Sequence, residues 1–75
     1  MNHLERITTN PKVMHGKPSI REMRFTVSQM LELIAGGMTF DEILEDYPYV
    51  EMEDIQACLN YAAKIANTKQ ILAIS

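Results

Sequence analysis

Gly36-Gly37 and Pro48 cut the chain beyond Val27 into three pieces, and each piece is patterned for a helix. In the first, Val27, Met30, Leu31 and Ile34 recur at helical spacing, Ser28 can cap the start, and the glycine pair ends the run. The second opens on Thr39 with Glu42 three residues on, a capping box. Phe40, Ile43, Leu44 and Tyr47 form its apolar stripe, and Pro48 stops it. After Pro48-Tyr49-Val50 a longer helix begins near Glu51, with Met52, Ile55, Leu59, Ala62 and Ala66 as its apolar face and Tyr61 and Ile65 beside it. Glu51, Glu53 and Asp54 crowd its first turn, where carboxylates suit the helix dipole. Alanines 57, 62, 63 and 66 allow close helix packing. The expected fold class is therefore mostly α: a three-helix body over residues 28–67. A short helix, a tight turn and a longer helix is also the layout of a helix-turn-helix, which specifies an architecture and not DNA binding.

Residues 1–27 read as an extended arm. Asn10-Pro11 and Gly16-Lys17-Pro18 mark turns, since proline pushes its predecessor out of the helical region. Ile7-Thr8-Thr9 reads as a short strand. So does Met23-Arg24-Phe25-Thr26-Val27, whose apolar residues alternate with polar ones. Two strands this short cannot stand alone in water, so they must lie on the helices or pair with another chain. Beyond Asn67-Thr68, residues 68–75 carry an apolar tail, Ile71-Leu72-Ala73-Ile74. Arm, body and tail make one domain, 1–75.

At 75 residues the core has little margin, and small domains commonly add a disulfide, a metal or a partner chain. Cys58 is the single cysteine, so no disulfide can form within the chain. His3, His15 and Cys58 show no metal-ligand spacing. That leaves self-association, most simply a homodimer, or another protein. No apolar stretch approaches the roughly 18 residues of a membrane helix. The first residues lack the apolar centre of a secretory signal. A lone free cysteine suits a reducing compartment, and the cytoplasm is the expected location.

The net charge of −3 hides an asymmetry. Residues 1–27 carry Arg6, Lys12, Lys17, Arg21 and Arg24 against Glu5 and Glu22, a net of +3, whereas residues 28–75 carry Lys64 and Lys69 against eight carboxylates, a net of −6. A basic head on an acidic body fits two faces with different partners, or short polar arms that gather charge for solubility.

Catalysis finds no footing. Serines 19, 28 and 75 have no histidine and acid to complete a set. Asp41 with Glu45 and Glu42 with Asp46 lie four apart on a helix, as a solvated face would. Gly16-Lys17-Pro18-Ser19 lacks the upstream glycine and the preceding strand of a phosphate loop. Neither a cofactor nor a small-molecule substrate is expected. Lys17, Arg21 and Arg24 are candidate phosphate contacts, since cations that neutralise phosphates release counterions. The alternative is that the arginines pair with the domain's own carboxylates. The acidic start of the third helix argues against its use as a recognition helix.

The run His15-Gly16-Lys17-Pro18-Ser19-Ile20-Arg21, then Arg24-Phe25-Thr26-Val27, carries a resemblance. Gly37 to Pro48, Glu53-Asp54-Ile55 and Asn60-Tyr61-Ala62 extend it over about residues 5–65. Together they resemble the bacterial domain-of-unknown-function 433 family, the VapB-type antitoxin-like proteins. The resemblance implies a homeodomain-like, helix-turn-helix-containing fold. It also implies the antitoxin role in a type II toxin–antitoxin pair, whose toxin is often a PIN-like nuclease. The chain departs from the family in two places. Glu22-Met23 stands where glycine and threonine are usual, and Phe25-Thr26 where a small aliphatic residue and proline are.

Two functions are expected from different classes. One is an antitoxin-like regulator whose acidic body or apolar tail, with Ile71, Leu72 and Ile74 as anchor, holds a toxin protein. Its arm would hold operator DNA through Lys17, Arg21 and Arg24. The other is a protein–protein adaptor or dimerisation module with no DNA role, favoured by the acidic third helix and Glu22.

Overall fold

Where each helix starts is decided by side chains that take up the free N–H groups of its first turn. A computed structural model describes residues 3–67 and contains three helices, α1 (Val27–Ala35), α2 (Phe40–Asp46) and α3 (Met52–Ala66). Thr39 caps α2 as expected: its Oγ1 accepts from the Glu42 N–H at 3.1 Å, and Glu42 Oε1 accepts from the Thr39 N–H at 2.8 Å. In α1 the cap is Thr26, not Ser28; Thr26 Oγ1 accepts from the Gln29 N–H at 3.0 Å, and Ser28 lies inside the helix. In α3 the Asp54 carboxylate reaches back to accept from the Glu51 N–H at 2.9 Å, while the Asp54 N–H donates to the Glu51 carbonyl at 2.9 Å.

Gly37 ends α1. The Gly37 N–H donates to the Ile34 carbonyl at 3.0 Å and the Met38 N–H to the Leu33 carbonyl at 3.2 Å, the paired bonds of a Schellman cap. That cap needs a left-handed residue, and Gly37 supplies it with φ 100°.

The arm folds onto the body. Strand β1 (Ile7–Thr8) pairs antiparallel with β2 (Ser19–Ile20), Ile7 opposite Ile20 and Thr8 opposite Ser19. Short 3-10 turns, Leu4–Arg6 and Met14–Gly16, flank the first strand and precede the second. The expected strand over Met23–Val27 does not form as such. Only Thr26 bridges, to Ser19, and the chain reverses tightly between Ile20 and Phe25. The reason is local: the Met23 N–H donates to the Ile20 carbonyl at 2.7 Å, so Arg21, Glu22 and Met23 are spent on a turn. The Val27 N–H then donates to the Pro18 carbonyl at 2.9 Å and delivers the chain into α1.

The core joins both halves. Ile20 and Phe25 from the arm are fully buried with Met30 of α1, Ile43 of α2 and Ile55 and Cys58 of α3. Phe25 meets Tyr47 edge-on, with ring centroids 5.0 Å apart, and Tyr49 at 6.4 Å. Such pairs add about 0.5–1.5 kcal/mol beyond area burial. The inner face of α3 runs through Asp54, Ile55, Ala57 and Cys58; Leu59, expected on that face, is 37% exposed. No helix among the described residues is long and apolar enough to cross a membrane.

Candidate interaction surfaces

Among the described residues Asp54 is the one carboxylate in the core, with no solvent exposure, although it lies in the first turn of α3 with the carboxylates read as suiting the helix dipole. A buried carboxylate needs its lone pairs filled, and here four donors fill them. Oδ1 accepts from Arg6 Nη1 at 2.9 Å and Arg21 Nε at 3.1 Å, while Oδ2 accepts from Arg21 Nη2 at 2.7 Å and the Glu51 backbone N–H at 2.9 Å. Arg6 also bonds Glu51 Oε1 at 2.7 Å, and Arg21 Nη2 donates to the Tyr49 carbonyl at 3.0 Å. No buried side-chain nitrogen or oxygen among the described residues lacks a partner.

The electrostatics follow. Burial pushes the Asp54 carboxyl up, but the hydrogen bonds from Arg21, the Glu51 backbone and Arg6 outweigh it and hold the group below its ordinary value. Hydrogen bonds to the Glu51 side chain and to Asp54 raise the Arg6 guanidinium above its ordinary value, and the bonds to Asp54 raise that of Arg21. Cys58 sits nearby in the core, and burial together with the Asp54 charge pushes its thiol up to about 12.

The sequence-derived DNA contacts therefore separate. Arg21 takes the alternative reading: its guanidinium forks onto Asp54, although its side chain stays 38% exposed. Lys17 and Arg24 are exposed and form no ion pair with any described residue. Lys12 is likewise exposed, with its backbone N–H tied to Asn10 Oδ1 at 2.9 Å. The partner-contact residues Ile71, Leu72 and Ile74 lie outside the described residues. Arg6, Glu51 and Asp54 were missed as a unit. The available signal was Asp54 itself, a carboxylate in step with Ile55 and Cys58 on a helix face that turns inward. The acidity of the α3 start is thus partly neutralised from within, and Glu53 is its exposed member, in no ion pair with any described residue.

Two further surfaces stand out. On α2 the side chains of Asp41, Glu42, Glu45 and Asp46 are exposed, as the solvated-face reading expected. Between the arm, α1 and the end of α3 lies an open apolar groove of about 530 Å³, lined by Pro18, Val27, Leu31, Tyr61, Ile65 and Ala66, with Lys17 also on its wall. Among the described residues no three His, Cys, Asp or Glu side chains come together as a metal site.

These features define a small, mostly helical domain of three helices and a two-stranded arm, tied by a buried carboxylate between two arginines. The profile described as "Protein of unknown function (DUF433)" matches residues 7–62, and the chain belongs to that family. It is similar to a DUF433 member protein from Anabaena variabilis ATCC 29413, solved as a crystal structure at 2.00 Å resolution, with 30% sequence identity and a TM-score of 0.75. The match covers 88% of this chain and 63% of that one. No curated protein matches the chain.

Proposed function

We propose that the protein is the antitoxin-like component of a bacterial type II toxin–antitoxin pair, working in the cytoplasm as a homodimer. In this reading it binds a toxin protein of the PIN-like nuclease kind and holds operator DNA as a second partner. It carries no catalytic chemistry of its own. The observation that supports it most is the division of the surface. Lys17 and Arg24 of the arm are exposed without a carboxylate partner among the described residues, whereas α2 exposes four carboxylates. The first suits phosphates, and the second suits a basic protein surface.

The test is co-expression with the product of the adjacent reading frame. Relief of growth inhibition together with a co-purifying complex is the expected result, and the absence of both defeats the reading. The adaptor without DNA binding keeps one specific support. Arg21 is engaged by Asp54, which reduces the free phosphate-contacting set of the arm to Lys17, Arg24 and Lys12. Undetectable binding to the upstream operator at low salt decides for the adaptor.

A further inference from the structure

We propose that the apolar groove between α1 and the end of α3 seats a second copy of this chain, each α1 lying in the groove of the other. The inference rests on the homodimer clause of the proposed function and on neither its toxin nor its DNA clause. Among the described residues the face is open: Ile65 on its α3 wall is 43% exposed, and Leu31 and Tyr61 are half-buried. A core as small as this one gains from a further apolar partner. The shape suits a helix, because the furrow between two neighbouring helices accepts the ridge of a third. The outer row of α1 is Ser28, Glu32 and Ala35, all exposed, and its two small members let a second helix come close.

Charge selects the occupant. Lys17 closes the groove wall at the start of α1, where the Val27 N–H donates to the neighbouring Pro18 carbonyl at 2.9 Å. Glu32 lies on the same side of α1 as Ser28, one turn further on and about 7.5 Å beyond Val27 along the helix axis. Both side chains are exposed and form no ion pair with any described residue. A twofold axis crossing α1 between them runs the two α1 helices antiparallel and sets each Lys17 against the partner's Glu32. An interface of one surface with itself needs this kind of self-complementarity, since whatever one copy offers the other must accept. The Lys17 ammonium has three donors, so a bond to Glu32 leaves others for a phosphate.

The test is equilibrium sedimentation of the full chain and of variants at exposed positions, with helix content followed by circular dichroism. A dimer is expected, and Ile65→Asp should weaken it about 30-fold or more, as loss of a central apolar anchor does. Lys17→Glu and Glu32→Lys, which leave the core untouched, should each weaken it about 10-fold. Mixed together, these two variants should pair with each other as tightly as the unaltered chain does, because both charge contacts of the mixed dimer are attractive again. A dimer that Ile65→Asp leaves intact overturns this face and leaves the homodimer standing. Reversal variants that fail to rescue one another do the same. A chain that stays monomeric up to millimolar concentration overturns the face and the homodimer together. If Ile65→Asp in that monomer abolishes the complex with the product of the adjacent reading frame, the groove belongs to that protein and not to a second copy.

Discussion

Glu22 holds φ at 60° and Arg21 at 46°, so two consecutive non-glycine residues occupy the left-handed region at the tip of the arm's turn. A turn of this kind favours Asn-Gly or Gly-Gly, and each ordinary residue there costs about 1 kcal/mol or more. Neighbours hold it in place: the Arg21 N–H donates to the Arg6 carbonyl at 2.7 Å, the Glu22 N–H to Thr8 Oγ1 at 2.9 Å, and Asn10 Nδ2 to Glu22 Oε1 at 2.8 Å. Glu22→Gly is therefore expected to raise stability by about 0.5–1 kcal/mol, the strain relief exceeding one exposed hydrogen bond. Urea unfolding checks it, and a loss of stability would refute the strain argument. Asp54 gives a second residue-scale expectation. Its folded carboxyl titrates below its ordinary 3.8, so on acidification the unfolded chain takes up the proton first. The stabilisation is complete above about pH 5 and drains away as pH falls through about 4 towards the folded value. Asp54→Asn should cost about 3 kcal/mol, the low end for breaking a buried pair because both arginines keep some contact with water. It should also flatten the acid limb of a plot of urea midpoint against pH; an unchanged acid limb would assign the acid sensitivity to other carboxylates.

At the scale of elements, the caps show what a linear sequence reveals and what it hides. The box at Thr39 and Glu42 was legible because both partners lie within one turn. The start of α1 was not. Thr26 and Ser28 are both capping residue types, and their hydroxyls lie 3.1 Å apart. The choice falls to Thr26 because the bond from the Val27 N–H to the Pro18 carbonyl fixes the chain on a partner nine residues upstream. Thr26→Ala should accordingly cost about 1 kcal/mol, and Ser28→Ala less than about 0.5 kcal/mol. Equal losses in thermal unfolding would return the cap to Ser28. The alternation of Met23, Phe25 and Val27 misled for a related reason. Phe25 and Val27 are buried, but the segment that faces them is the two-residue β2, too short to announce itself by period. The acidic start of α3 was legible as charge only, since its partners stand 48 and 33 residues away.

For the molecule as a whole, the surface cations that remain available decide any DNA role. Lys17→Ala with Arg24→Ala should weaken operator binding and reduce its salt slope by about 2, one for each phosphate contact. Arg21→Ala should instead lower stability, because it removes two of the four bonds to Asp54. If Arg21→Ala leaves unfolding unchanged and abolishes binding, the arm is read by DNA through Arg21 after all. The same carboxylate orders events in time. Chains emerge from the ribosome N-terminus first, yet Arg6 and Arg21 find their shared partner only when residue 54 arrives. The arm is thus made before α3, and its bonds to the buried carboxylate form only once α3 follows. Until α3 is out, Arg6 and Arg21 are open to whatever acidic surface lies nearby.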